Sequence, residues 1–496
     1  MDYKLPLGIN AGTVFVSSII AFVYIIFRTL QTSKSKLSSL PTIGTTSQPH
    51  LQIDLIDGTR RYPDTPYLIP DIPNGPKTLI LPVRYLDEIK SLPESKLSFA
   101  ESLYHRFSGK YSTIGILNKS MITSIKVDLT HNIARNFEAL QLEADLAIPD
   151  CIGECQDWTP IQIYPKILRI VALLSGRIFV GLPLSRDEEW IETTISYTEA
   201  AFACYVPVKN LFPLTRDVFA PFLPEVQRIK QYRARGAQLL APVLEERRES
   251  MKDPNFEPPA DMIQFMIQNA GDSAHDALFQ SYMQMVISLV AIHSTAMNIT
   301  HAIYDLANHP ESIAPLREEL EAVLSAENGI LNQTSMTKLQ KMDSFIKESQ
   351  RLNPPNALSI NRIATSNLTL SDGLYIPKGT CIAISSIGIY HDPSIYPSPD
   401  TFLPFRFSDL RSLPENANKY QLVTTSKESL AFGHGTHACP GRFFASNEIK
   451  VILAGLLSRY DVKFQEGQGR PENMNGKTLM VPNQKAEVLF RKRGVS

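Results

Sequence analysis

At 496 residues the chain is longer than one compact core usually grows, yet no shift in composition divides it after the first forty or so residues, so one large folded unit is the simplest reading. The 49 basic and 50 acidic residues leave a formal charge of -1, and no basic run is interleaved with aromatics, which argues against nucleic acid as a partner. The five cysteines are too few, too scattered and odd in number for a disulfide framework, which suits a reducing compartment.

From Leu5 to Phe27 no charged residue occurs, and as a helix this stretch is long enough to span the ~30 Å apolar core of a bilayer. Residues 1–4 are then a lumenal tip and 5–27 an uncleaved transmembrane anchor, since no short apolar region with a small-residue cleavage site is evident. Arg28, Lys34 and Lys36 follow the stretch while only Lys4 precedes it, which keeps the bulk of the protein cytosolic. Residues 28–50, rich in Ser and Thr with Pro41 and Gly44, read as a linker, and 51–496 as the folded part.

Thr78 to Arg84 has a strand pattern. From about 130 to 355 apolar residues recur at three- and four-residue spacing, in Ile167–Phe179, Met262–Met266 and the long stretch Tyr282–Leu306, so this part is helical. Cys151 and Cys155 fall on one helix face, but no Cys/His pair nearby completes a metal site, and two small packed side chains are the plainer reading. Glu348 and Arg351, three apart, also share a helix face.

Short strand patterns return at Leu368–Leu370, Cys381–Ser385, Val462–Phe464 and Ala486–Phe490, with turns at Ser371-Asp372-Gly373 and Pro377-Lys378-Gly379. The expected fold is mainly α with a small β lobe, preceded by one transmembrane helix.

The most informative segment is Phe432-Gly433-His434-Gly435-Thr436-His437-Ala438-Cys439-Pro440-Gly441-Arg442, followed by Phe443, Phe444, Ile449, Ile452, Leu453 and Leu456 at helical spacing. It sets one cysteine, flanked by Gly435 and Gly441, at the mouth of a helix. Helix-start N–H groups and the positive end of the macrodipole favour a thiolate there, and glycines let backbone approach a flat macrocycle.

This segment resembles the ligand loop of the cytochrome P450 superfamily, Phe-X-X-Gly-X-(Arg/His)-X-Cys-X-Gly, at Phe432, Gly435, His437, Cys439 and Gly441. The resemblance runs in motif order from about Pro41 to the carboxyl terminus. It implies a haem-thiolate monooxygenase fold holding haem b, with Cys439 as the axial iron ligand and His437 against a haem propionate. Asp400–Phe407 resembles the family's Pro-X-Arg-Phe segment, so the resemblance also implies that Arg406 joins Glu348 and Arg351 in a buried network supporting the haem loop.

Two departures stand out. Where the family reads Ala-Gly-X-(Asp/Glu)-Thr-Thr, this chain has Val290-Ala291-Ile292-His293-Ser294-Thr295, so His293 replaces the acid, and Ser294 with Thr295 supplies the alcohol of the proton relay. Imidazole can deliver a proton near neutral pH. The family's Trp-X-X-X-Arg contact has no match, and the nearest register puts Ile122 and Lys126 there.

The chain looks most like microsomal members, and specifically like filamentous-fungal ones that decorate terpenoids and other secondary metabolites. That implies an endoplasmic reticulum membrane protein with its catalytic part cytosolic, electrons from NADPH through a separate flavoprotein reductase, a small haem electron carrier as a further donor, and a lipophilic substrate. Arg442, Lys427 and Lys450 are candidate contacts for the electron donor. The altered relay leaves open a haem-thiolate isomerase or dehydratase needing no external oxygen, and more remotely a haem sensor or carrier.

Overall fold

The computed structural model describes residues 37, 39–44, 51–70 and 77–494. The predicted anchor and most of the linker lie outside the described residues. The longest apolar stretch, Ala277–Asn308, forms one helix of 32 residues. Asp276 caps it, accepting the N–H groups of Leu278 and Phe279 at 2.8 and 3.2 Å and so satisfying two donors that a helix start leaves without partners. Among the described residues it is the one helix long and apolar enough to cross a membrane, but most of it is covered by protein.

That cover explains its composition. Helices Ile163–Phe179, Glu188–Asn210, Pro224–Ser250, Gln340–Leu352 and Arg442–Arg459 pack around it, so a helix apolar on all sides is stable here without lipid. Met285, Ile299 and Ala302 are fully buried, and truncating Ile299 to Ala would cost about 2–5 kcal/mol. The Pro224–Ser250 helix crosses closest at Gly236, where a Cβ would stand 2.5 Å from Ser281 Oγ and 2.8 Å from Met285 Cε. A larger residue there would have to displace those two side chains.

The β region is small. A five-stranded sheet runs Tyr67–Ile69, Thr78–Ile80, Cys381–Ser385, Leu358–Ala364, Leu97–Ser98, with one parallel pairing between Thr78–Ile80 and Cys381–Ser385. A three-stranded sheet joins Thr159–Gln162, Glu487–Lys492 and Tyr460–Lys463, and two hairpins complete the set. The mainly helical body with a small β region is as expected.

Several boundaries differ for physical reasons. The strand expected at 78–84 stops at Ile80, because Pro82 has no N–H for a ladder and instead starts a short helical turn at Val83. Thr159–Gln162 was not expected as a strand; it is an edge strand, which tolerates its Pro160. Leu358–Ala364 escaped detection because a bulge between Ser359 and Arg362 breaks its alternation, with Ile360 forced to φ 54°. A β-branched residue there is strained, and the bulge re-aims the side chains that follow it.

Candidate active site

The cysteine loop closes on itself through three backbone bonds: Cys439 N–H to Phe432 O at 2.8 Å, Gly433 N–H to Leu430 O at 2.9 Å and Ala438 N–H to Gly435 O at 3.1 Å. Gly435 stands at φ +78°, and a Cβ there would lie 2.8 Å from the Lys90 carbonyl oxygen. Both conformation and space therefore require glycine. Burial pushes the Cys439 thiol up from its ordinary value, while the N–H groups of Gly441 and Arg442 and the Arg442 charge pull it down. The helix start thus offers the sulfur its donors, but desolvation outweighs them in the protein alone.

Beneath the loop, Glu348, Arg351 and Arg406 come together. Arg351 donates two bonds of 2.8 Å to the Glu348 carboxylate, and Arg406 Nε reaches both of its oxygens at 3.1 Å. Glu348 is 0% and Arg351 2% exposed, a burial that is tolerable only because every charge is met. The remaining guanidinium N–H groups go to the carbonyls of Tyr390, Pro399, Pro397, Ser398 and Thr401.

A positive edge lies beside the loop. His437 Nε2 is 3.2 Å from Glu94, its ring tilts against Phe99, and burial together with the charges of Arg362 and Lys126 lowers its proton affinity. Arg362 was missed in the sequence. It is 3% exposed, its guanidinium sits 5.1 Å over the Phe99 ring, and among the described residues its side chain hydrogen-bonds only the neighbouring Asn361 carbonyl. Burial pulls it down to about 10, offset only by Glu94, and no carboxylate of the described residues is within ion-pair distance. A single charged residue within Leu358–Ala364, flanked by Ile360 and Ile363, was the available signal.

On the central helix, Val290 is 55% exposed in the middle of a buried element, and Ala291, Ser294 and Met297 on the same face are half-buried. That stripe faces space not filled by protein. Ser294 shares it, bonded back to Val290 O at 2.8 Å. Thr295 is buried at 3% exposure and turned from it. His293 leans the other way: its Nδ1 is 3.3 Å from the Tyr164 hydroxyl, its Nε2 is buried without a partner, and burial lowers it to about 4. It is therefore neutral at physiological pH, not the near-neutral proton store expected from its residue type.

Residues 150–490 match the family profile of Cytochrome P450. The chain belongs to the cytochrome P450 family. It is similar to the cytochrome P450 monooxygenase BOA4 of Botryotinia fuckeliana, 42% identical over 486 residues that cover 98% of this chain and 97% of the relative. The monooxygenase ascG of Acremonium egyptiacum is 38% identical over 510 residues, covering 96% of this chain and 94% of the relative. BOA7 of Botryotinia fuckeliana is 41% identical over 487 residues, covering 92% and 89%. The chain is accordingly an oxidoreductase of the monooxygenase type.

P450 enzymes carry haem on a cysteine thiolate, and the residues present fit that group. Cys439 is partly accessible with two N–H donors on its sulfur, a buried guanidinium lacking an ion pair among the described residues lies beside a histidine, and the long central helix carries an uncovered stripe. Among the described residues no cluster of three His, Cys, Asp or Glu side chains offers a competing metal site. Of the basic residues expected at a partner surface, Arg442 bonds the Cys439 carbonyl at 3.0 Å, and Lys427 is exposed and pairs with Asp87. Lys450 is corrected outright: it is 5% exposed, bonded to Met336 O and paired with Asp343, so it cannot meet a partner.

Proposed function

We propose that this P450 is a membrane-bound haem-thiolate monooxygenase that hydroxylates or further oxidises a lipophilic small molecule, a terpenoid or related secondary metabolite. Electrons come from NADPH through a separate flavoprotein reductase, with a small haem protein as a further donor. The observation that carries the reading is Cys439 held at the start of the Arg442–Arg459 helix by a loop that only glycine at 435 permits. Haem on this cysteine supplies dioxygen activation.

The roles of the chain's own residues follow. Cys439 ligates iron; Arg362 and His437, with Lys126 nearby, face the propionates; Phe432, Gly435 and Gly441 shape the loop. Glu348, Arg351 and Arg406 hold it from below. Ser294, whose hydroxyl lies on the accessible stripe, would hold and pass a proton on the side where haem would sit, and Thr295 and His293 support the helix around it. Val290, Ala291 and Met297 give the substrate an apolar wall.

Membrane association rests on two features. One is the apolar stretch 5–27; the other is an exposed apolar segment in which Phe212 is 65%, Leu214 85%, Val218 61% and Phe222 74% exposed. Soluble surfaces rarely concentrate such side chains. A cytosolic body follows from Arg28, Lys34 and Lys36 after the stretch, and the likeness to microsomal members points to the endoplasmic reticulum as the membrane.

The test is the ferrous carbon-monoxide complex: wild-type protein gives the red-shifted Soret band of a thiolate ligand and Cys439→Ala loses it. An unchanged band would refute the assignment. The neutral His293, held by Tyr164, also favours a second reading, an isomerase or dehydratase. Turnover without NADPH and dioxygen would establish that one.

A further inference from the structure

The helix Pro224–Ser250 turns one stripe toward the core: Val226, Ile229, Arg233, Gly236, Leu240, Leu244 and Arg247. Two arginines interrupt an otherwise apolar or small face, and the protein treats them differently. Arg247 is paired, with Asp261 at 2.8 and 3.2 Å and Gln264 at 3.1 Å. Arg233, half-buried, has no ion pair and no side-chain hydrogen bond to any described residue, and its Nε is buried without a partner.

What surrounds Arg233 is polar and incomplete. Its guanidinium lies 4.4 Å over the ring of Tyr282, whose own hydroxyl is buried with no partner. Its charge reaches the hydroxyl of the fully buried Tyr197, which is bonded to Thr113. Thr113 sits at φ +68°, on a turn pressed against the helix that carries Tyr197. Desolvating a guanidinium and a phenol without partners is costly, and an apolar residue at 233 would avoid the cost.

We propose that Arg233, with the Tyr282 hydroxyl beside it, is the anion-binding end of the substrate cavity, and that the substrate carries a carboxylate on an apolar body. This rests on the monooxygenase reading above. Guanidinium matches carboxylate in a two-point, charge-assisted fashion, and the Tyr282 ring fixes its plane. Tyr282 precedes Val290 by eight residues, which on a helix is about 12 Å along the axis. The carboxylate end is therefore displaced from the Val290 level by about 12 Å along the helix axis. Phe107, edge-on to Phe202 at 5.8 Å and Tyr205 at 5.6 Å, adds apolar wall on the side of the Thr113 turn.

The experiment uses the full-length, haem-loaded protein and calorimetric titration with sodium dodecanoate and with dodecanol, at constant ionic strength. Wild type binds the acid at least roughly tenfold more tightly than the alcohol. Arg233→Met loses that preference with alcohol affinity unchanged, and Tyr282→Phe weakens acid binding only. Arg233→Met also melts no lower than wild type without ligand, since it removes a cation that no carboxylate of the described residues pairs. The proposal is overturned if wild type binds the acid no better than the alcohol, including no binding of either, or if Arg233→Met keeps the preference or melts well below wild type. The carbon-monoxide spectrum of the same preparations reports separately on the haem-thiolate reading, so the two failures are distinguishable.

Discussion

Arg351 donates to the carbonyl oxygen of Tyr390 at 2.7 Å, and the hydroxyl of the same tyrosine accepts the Leu430 N–H at 2.8 Å. One residue thus connects the buried Glu348–Arg351–Arg406 network to the first residue of the cysteine loop. Leu430 in turn accepts from Gly433 N–H and Ser359 Oγ, so the loop's opening bonds depend on the charge network below.

Glu348→Ala leaves two buried guanidinium groups facing each other without their anion. The expected loss is about 3–5 kcal/mol of stability, together with poor haem incorporation. Tyr390→Phe is milder: it strands one buried N–H, costing about 1–3 kcal/mol, with haem still taken up. Urea unfolding and haem-to-protein ratios check both, and a Tyr390→Phe protein as stable as wild type would show that the network does not act through the Tyr390 hydroxyl.

The loop, the helical body and the Glu/Arg helix were legible because each is written locally: glycines around one cysteine, apolar residues at helical spacing, a charged pair three apart. The contacts that complete the site were not. Arg362 reaches the His437 side only because the Ile360 bulge re-aims its strand, and a bulge is set by pairing with Cys381–Ser385 rather than by the strand's own residues. Lys450 looked like surface because residue type does not reveal that Asp343 lies behind it. The orientation of His293 depends on Tyr164, 129 residues away.

On the central helix, the accessible stripe separates the two alcohols. Ser294→Ala raises peroxide release per NADPH consumed, because its hydroxyl lies on the exposed face. Thr295→Val, isosteric and buried, changes stability by about 1 kcal/mol and leaves coupling close to wild type. Peroxide and product assays on the two variants decide; the reverse order would place Thr295 at the oxygen.

Arg362→Met removes a buried cation that no carboxylate of the described residues pairs. If propionate is its partner, the haem-free variant is no less stable than wild type while haem dissociates at least about tenfold faster, as loss of a charge-assisted bond implies. Haem transfer to an excess of a scavenging globin measures the rate. Unchanged dissociation would assign Arg362 to packing on Phe99.

Glu448 supplies a pH test independent of haem chemistry. It is 0% exposed, accepts from Ser175 Oγ at 2.7 Å, and burial raises it to about 8 from 4.5. The unfolded chain releases this proton near its ordinary value while the folded chain keeps it. Between the two values the native state therefore binds more protons, and stability falls as pH rises, by about 1.4 kcal/mol per unit for this group. Below about 4.5 the group contributes nothing; above about 8 the loss is complete. Glu448→Gln keeps a hydrogen-bonding partner for Ser175 and has no proton to lose. Its melting temperature should match wild type near pH 4.5 and exceed it increasingly up to pH 8, the limits of the window. A constant difference between the two proteins across that range would mean that Glu448 is ionised in the fold, held by a partner this arrangement does not contain.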